Sequence, residues 1–309
     1  MIDLTVASDY WDRQHFSNEF LRGEWSFHPA AKARLHRILG APSREQWFCE
    51  NYLKGKTGLR ALSIGAGRCT TELRILSMSG IAQYDLYDIS PVALDAGRAT
   101  AKEIGVADRA NFICADINEI DLGEGVYDVI TFIASLHHIQ NIREILTRCR
   151  RALAPGGVIW AAEYIGPNYF AYPPQHTEFA QRFWSAVKDP FKKTWVDRIV
   201  FPTVEEVIAS DPTESVNSAI IRSEFENIFD DVRLIETYGT FAFILFWGLN
   251  HDYLYDTEEG QNFVELVLEM DTALIDSGAL PHYFAYLIGG KEPEPKSLVK
   301  RLKQRLYPR

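Results

Sequence analysis

The sequence predicts an α/β protein built on a doubly wound, largely parallel sheet, and three observations carry that prediction. Short apolar strands alternate with helical stretches between residues 61 and 163. The first strand runs straight into the glycine turn Gly65-Ala66-Gly67 and then into a helix. The second strand closes on an acid, Asp88, about twenty residues after that turn, where such a sheet places a carboxylate that meets ribose hydroxyls.

Each element follows from its residues. Leu62-Ser63-Ile64 is the apolar end of the first strand. Gly65 and Gly67 have no Cβ, so the backbone can approach a small polar ligand, and the helix over residues 70–78 presents unpaired N–H groups to it. A G-x-G after a strand also serves as a plain tight turn, so the motif gains meaning only from its surroundings. Tyr84-Asp85-Leu86-Tyr87-Asp88 reads as the second strand, and Ser90-Pro91 supplies a cap and a first-turn proline for a helix to about residue 104. A third strand over 110–115 ends at Asp116. The fourth, over 127–133, runs into Ser135-Leu136-His137-His138. A helix over 141–153 and the turn Pro155-Gly156-Gly157 lead to a fifth strand over 158–163. Further on, 231–238 alternates as a sixth strand. Residues 241–250 are apolar all round, compatible with strand or buried helix, and are read as helix. Residues 258–277 form an amphipathic helix closed by Gly278, and 283–289 a final strand.

Taken in order and spacing, Gly65-Ala66-Gly67, Tyr87-Asp88-Ile89-Ser90-Pro91, Cys114-Ala115-Asp116, Ser135-Leu136-His137-His138 and Leu153-Ala154-Pro155-Gly156-Gly157 resemble the class I S-adenosylmethionine-dependent methyltransferases over about half the chain. The resemblance implies a Rossmann-like, seven-stranded sheet with the last strand antiparallel, to which a helical insertion between strands six and seven is an addition. It also implies a cofactor pose. The methionine part lies beside Ser63, Gly65, Ala66 and Gly67, the ribose on Asp88, and the adenine near Ile89, Asp116 and Ile117, with Ala134 also on the cofactor side. Two positions depart from the pattern, since family members usually have an acid where Ser63 stands and a third glycine where Cys69 stands. The rival cofactor is a nicotinamide dinucleotide. It wants a small residue where Thr70 stands and a second mononucleotide half that this chain lacks.

Composition bounds the rest. The 309 residues are 47% hydrophobic and 24% charged, enough for one large core or a core with a cap. No stretch approaches the roughly 20 apolar residues of a bilayer span, and no basic apolar leader is visible, so a cytoplasmic enzyme without stable membrane insertion is expected. A net charge of -10 argues against a nucleic-acid partner. Cys49, Cys69, Cys114 and Cys149 lack C-x-x-C spacing and read as reduced, mostly buried thiols with no metal.

The chain divides into a helical N-terminal lid (1–60), the cofactor-binding core (61–163), a substrate cap (164–230), the end of the sheet with its helical insertion (231–290) and a basic tail (291–309). The lid is rich in aromatics, Tyr10, Trp11, Phe16, Phe20, Trp25 and Phe27 among them. Most of these serve simply to cover the sheet edge, while Trp25 and His28 are its candidates for substrate contact. Asp211-Pro212-Thr213-Glu214 reads as a helix start, with capping the plain role of Asp211 and Glu214 and substrate contact the alternative. Tyr164 and His176 are further candidates in the cap. The chemistry expected at the carboxyl edge of the sheet is proton removal by His137 or His138, oriented by Glu163. The expected activity is O-methylation of a small hydroxylated metabolite, a sugar or a glycoside. The alternative is a protein that binds S-adenosylmethionine without transferring its methyl group.

Overall fold

A computed structural model of the chain describes residues 4–14, 22–193 and 197–291. The expectations for Phe16, Phe20 and the basic tail fall outside the described residues. The sheet has seven strands: β1 (Thr57–Ile64), β2 (Gly80–Asp88), β3 (Ala110–Cys114), β4 (Tyr127–Ile133), β5 (Leu153–Tyr164), β6 (Asp230–Glu236) and β7 (Phe284–Gly290). Their order is β3-β2-β1-β4-β5-β7-β6. The first five are parallel and β7 is antiparallel to both β5 and β6. The order reverses between β1 and β4, where crossovers leave to opposite faces and a crevice opens at the strands' carboxyl ends.

Alternation along the strands builds two cores, one on each face. Leu62, Ile64, Ile130, Phe132 and Ile159 point to one, Ala61, Val129, Trp160 and Ala162 to the other. The helices over these faces include α1 (Leu4–Gln14), α2 (Pro29–Leu39), α3 (Arg44–Phe48), α4 (Thr70–Met78), α5 (Pro91–Glu103) and α6 (Ile142–Ala152). Strand β5 begins at Leu153, not at residue 158. The Pro155-Gly156-Gly157 turn sits inside it as an irregularity, Leu153 pairing with Tyr127 and Val158 with Val129.

The remaining helices are α7 (Pro174–Ala186), α8 (Val204–Ser210), α9 (Ile221–Ile228), α10 (Thr240–Phe246), α11 (His251–Asp256) and α12 (Glu258–Asp276). The apolar stretch after β6 is thus helical. Trp25, Tyr164, Trp184, Phe241, Phe246, Val264, Leu268 and Tyr283 form a third core, so parts of the lid, cap and insertion pack on one another. Buried Asp271 fastens this layer. It accepts from Gly239, Phe241 and Ala242 N–H at the start of α10 and pairs with Arg34 of α2 at 3.0 Å. Helix α9 belongs instead to the sheet, since Ile221 and Phe225 join the core beneath α6.

One expected helix start is absent. Helix α8 ends where Asp211-Pro212-Thr213-Glu214 begins, and Asp211 Oδ1 accepts from the Thr213 N–H (2.8 Å) and hydroxyl (2.6 Å). The short acid satisfies a turn locally, an alternative to capping a new helix.

Candidate active site

At the reversal point the sheet opens into a cleft of about 1420 Å³. That exceeds the roughly 300–1,000 Å³ of a pocket for one small ligand, so there is room for two.

The glycine turn forms one end. Gly65 and Gly67 have φ of +66° and +51°, left-handed values that glycine adopts without strain. A Cβ on Gly65 would stand 2.6 Å from Ser135 Cβ, so this glycine also lets β1 meet the turn after β4. Asp88 ties the turn down. Its Oδ2 accepts from Gly67 N–H at 2.7 Å and its Oδ1 from Ser90 N–H at 2.8 Å, while the carboxylate remains on the cleft wall. Burial pushes its pKa up against those two hydrogen bonds, which pull it down. Ala66, Ile89, Asp116, Ile117 and Ala134 line the same end.

Ser63 does not line the cleft. It is fully buried and donates to Glu72 Oε1 at 2.9 Å. The carboxylate that reaches the cleft here is Glu72, from the first turn of α4, and burial raises its pKa to about 7. The sequence reading missed Glu72 because a helical first-turn acid is ordinary as a dipole partner. Cys69, in the second departing position, is buried with φ +57°.

The other end is organised by Glu163 at the end of β5. Ala134 leaves β4 in the left-handed region (φ +55°) and swings the chain into a turn over Leu136–His138. Glu163 Oε1 accepts from the N–H groups of Ser135 (2.9 Å) and Leu136 (2.8 Å), and Oε2 receives His137 Nδ1 at 2.6 Å. The carboxylate therefore holds both the turn and the ring. Burial alone would lower the His137 pKa, but the hydrogen bond and charge of Glu163, with Glu214 and Glu24, raise it. Burial and neighbouring His137 lower that of His138.

Residues from distant segments complete this end. Glu214 lies 3.8 Å from His137 Nε2 and 4.0 Å from His138 Nε2. Glu24, just before Trp25, also lines it, its pKa raised to about 7 by burial and by Glu214. Trp11 of α1 donates to Asp211 Oδ2 at 3.1 Å and sets its ring edge-on to His138, 5.2 Å between centroids. Trp25, Tyr164, Phe170, Phe243 and Phe284 supply an aromatic wall.

Three expected substrate contacts lie elsewhere. His28 is fully buried, accepting from Ala30 N–H as the cap of α2 and meeting the Leu254 carbonyl at 3.1 Å. His176 pairs with the Tyr283 hydroxyl at 2.7 Å, outside the cleft lining. Asp211 stands behind the wall, holding Thr213 and Trp11. Of the six candidates, Trp25, Tyr164 and Glu214 reach the cleft.

Residues 62–159 match a family model described as a methyltransferase domain. This stretch is a methyltransferase domain, similar to the class I S-adenosylmethionine-dependent enzymes. The chain is 28% identical over 122 residues to the ubiquinone/menaquinone biosynthesis C-methyltransferase UbiE of Psychromonas ingrahamii, covering 39% of this chain and 47% of that one. It is 20% identical over 195 residues to the UbiE of Cereibacter sphaeroides, covering 62% and 66%. The methyltransferase domain thus spans about half to two thirds of the curated relatives it matches. Among solved structures, phosphoethanolamine N-methyltransferase 2 of Haemonchus contortus aligns with a TM-score of 0.54 at 15% identity over 93% of this chain and 60% of that chain. Geranyl diphosphate C-methyltransferase of Streptomyces coelicolor aligns at 0.51 and 13%, over 89% and 85%. At these identities the likeness speaks for the fold.

Proposed function

We propose that the chain is a methyltransferase that uses S-adenosylmethionine to methylate a hydroxyl oxygen of a small acceptor such as a sugar, glycoside or other hydroxylated metabolite. The observation that carries this reading is the shared cleft, with the glycine turn and Asp88 at one end and the Glu163-held imidazoles at the other.

The residues fit the cofactor. Both Asp88 oxygens are positioned by backbone N–H groups and have remaining lone pairs for ribose hydroxyls. Ile117 and Ile89 offer an apolar wall beside Asp116 for the adenine, and Gly65, Ala66, Gly67 and Ala134 leave room along the floor. Glu72, which accepts from Ser63, supplies a carboxylate for the cationic amino group of the methionine part that the resemblance places beside Ser63. When bound, the cofactor supplies a strongly electrophilic sulfonium methyl group, so the protein's task is alignment, exclusion of water and handling of the acceptor's proton.

The proton falls to the imidazole pair. Glu163 carboxylate receives Nδ1–H of His137. The Thr213 hydroxyl gives its proton to Asp211, so its oxygen accepts from Nδ1–H of His138. Each ring therefore offers Nε2 to the cleft. His138, pushed toward the neutral form, is the better acceptor of a hydroxyl proton, and His137, pushed toward the charged form, stabilises the developing oxyanion. The aromatic wall excludes water and suits the apolar faces of a sugar ring.

The test is calorimetry with S-adenosylmethionine and its demethylated product, followed by turnover on a panel of hydroxylated acceptors with product mass analysis. A single 14-dalton addition at oxygen is expected. Tight cofactor binding without turnover on any acceptor class supports the binding-protein alternative, and no binding contradicts the reading.

A further inference from the structure

The two imidazoles share a second arrangement that proton transfer does not require. Each Nδ1 is anchored, His137 on Glu163 at 2.6 Å and His138 on Thr213 Oγ1 at 3.1 Å with Asp211 Oδ2 at 3.5 Å. That leaves both Nε2 atoms turned to the cleft, and both face one carboxylate, Glu214 Oε1 at 3.8 Å and Oε2 at 4.0 Å. These separations are too long for hydrogen bonds. They exceed the roughly 3.4 Å that separates two ligands of a tetrahedral zinc ion with bonds of about 2.0–2.1 Å, and one ligand atom from each of His137, His138 and Glu214 lies within 4.8 Å of the others, so the two rings and the carboxylate draw together on the ion.

Charge points the same way. Glu24, Glu163, Asp211 and Glu214 surround two imidazoles, and among the described residues none of the four carboxylates pairs with a lysine or arginine. The anchored Nδ1 atoms are also what a metal site needs, because a carboxylate or hydroxyl behind each ring fixes its orientation and makes Nε2 a stronger donor.

We propose that His137 Nε2, His138 Nε2 and a Glu214 oxygen hold a first-row divalent cation, with zinc the best match to two imidazoles and one carboxylate, and that its remaining position opens on the cleft. Glu163 and the Thr213–Asp211 pair are the positioning groups behind the ligands. The proposal departs from the metal-free expectation of the sequence. It rests on the reading of this end as the acceptor's place and changes the rings' part in it: with the cation bound both Nε2 atoms are spent as ligands, the cation would acidify the acceptor hydroxyl in place of a bare imidazole, and the proton would pass to Glu24, the cleft carboxylate left unligated.

The test uses the full chain, stripped with chelator, titrated with Zn²⁺ by calorimetry and with Co²⁺ by visible absorption. S-adenosylmethionine binding is measured on the same preparations. One equivalent of cation is expected, with a visible Co²⁺ band of low-coordinate N/O type. Affinity should fall about a hundredfold or more in His138→Ala and in Glu214→Gln, both of which leave Glu163 and its turn intact. Glu163→Gln should weaken the cation by about 10–100-fold through His137 alone. Binding of neither metal, or binding that survives both His138→Ala and Glu214→Gln, overturns the cation site. If S-adenosylmethionine binds in either case, the methyltransferase reading stands without it. A cation bound with the expected mutational pattern, but no cofactor binding, keeps the site and removes the methyltransferase reading.

Discussion

At the cofactor end of the cleft, the turn and its ties come from one short stretch. Gly65, Gly67, Glu72, Asp88 and Ile89 all belong to β1, α4, β2 and their connections. At the acceptor end, Glu24, the His137-His138 pair, Glu163 and Glu214 come from four separate places, and Trp11 arrives from α1. The first end is a local structure whose geometry the backbone dictates. The second is a tertiary assembly whose members have no reason to be neighbours in sequence. Damage at the first end should therefore be confined to cofactor affinity, and damage at the second should fall on turnover or on the fold.

The most severe break in that contrast is Glu163. Its carboxylate is buried and satisfies the N–H groups of Ser135 and Leu136 as well as His137. Glu163→Ala strands all of them, and chemical denaturation should register a loss of about 3–5 kcal/mol, the usual cost of removing one partner of a buried charged pair. A variant as stable as the parent would show that the turn holds itself.

Next is Gly67→Val, expected to weaken S-adenosylmethionine binding by about a hundredfold or more in calorimetry. A branched side chain fills the approach to the turn and resists the left-handed backbone there. Normal binding would move the cofactor away from the glycine turn. Asp88→Ala should cost about tenfold or somewhat more in the same assay. A charge-assisted hydrogen bond to ribose is worth about 1.5–3 kcal/mol, and the Gly67 N–H loses its acceptor as well. Unchanged affinity would remove Asp88 from the site.

The smallest effect sharpens the comparison through pH. Glu72, with its pKa raised to about 7, is ionised above that pH and neutral below it. Cofactor affinity should be highest above about pH 7 and fall several-fold to a plateau as pH drops below it, because the ionised form is the one that meets a cationic amino group. In Glu72→Gln this pH dependence should vanish and affinity should sit near the low-pH level. An identical slope in the variant would assign the titration to another group.

What the sequence could show follows the same division. Glycine turn, strand-end acid and proline-capped helix are local signals, and the structure carries each of them; the antiparallel last strand, which only the family resemblance implied, is present as well. The helical reading of the stretch after β6 also holds, since a segment apolar on every side is buried as a helix between α7 and α12. Glu72 and Glu24 were invisible because nothing local separates a cleft carboxylate from a solvated one. Their burial is created by β1 and the Trp25 region folding around them. His28 and Asp211 failed as substrate candidates for a related reason. Each is a short polar side chain next to a proline, and each is consumed by local hydrogen bonding, at the cap of α2 and in the Thr213 turn.

The claim that the two ends do separate work is tested most directly by His138→Ala and His137→Ala, with cofactor affinity and turnover on an authentic hydroxylated acceptor measured side by side. The account predicts S-adenosylmethionine affinity within about twofold of the parent in His138→Ala and turnover lower by about 10² to 10⁴, since a proton acceptor acts in the transition state and not in cofactor binding. His137→Ala should lose turnover as well, with added instability from the partner removed at Glu163. Parental turnover in both variants, or a loss of cofactor affinity as large as the loss of turnover, would contradict it.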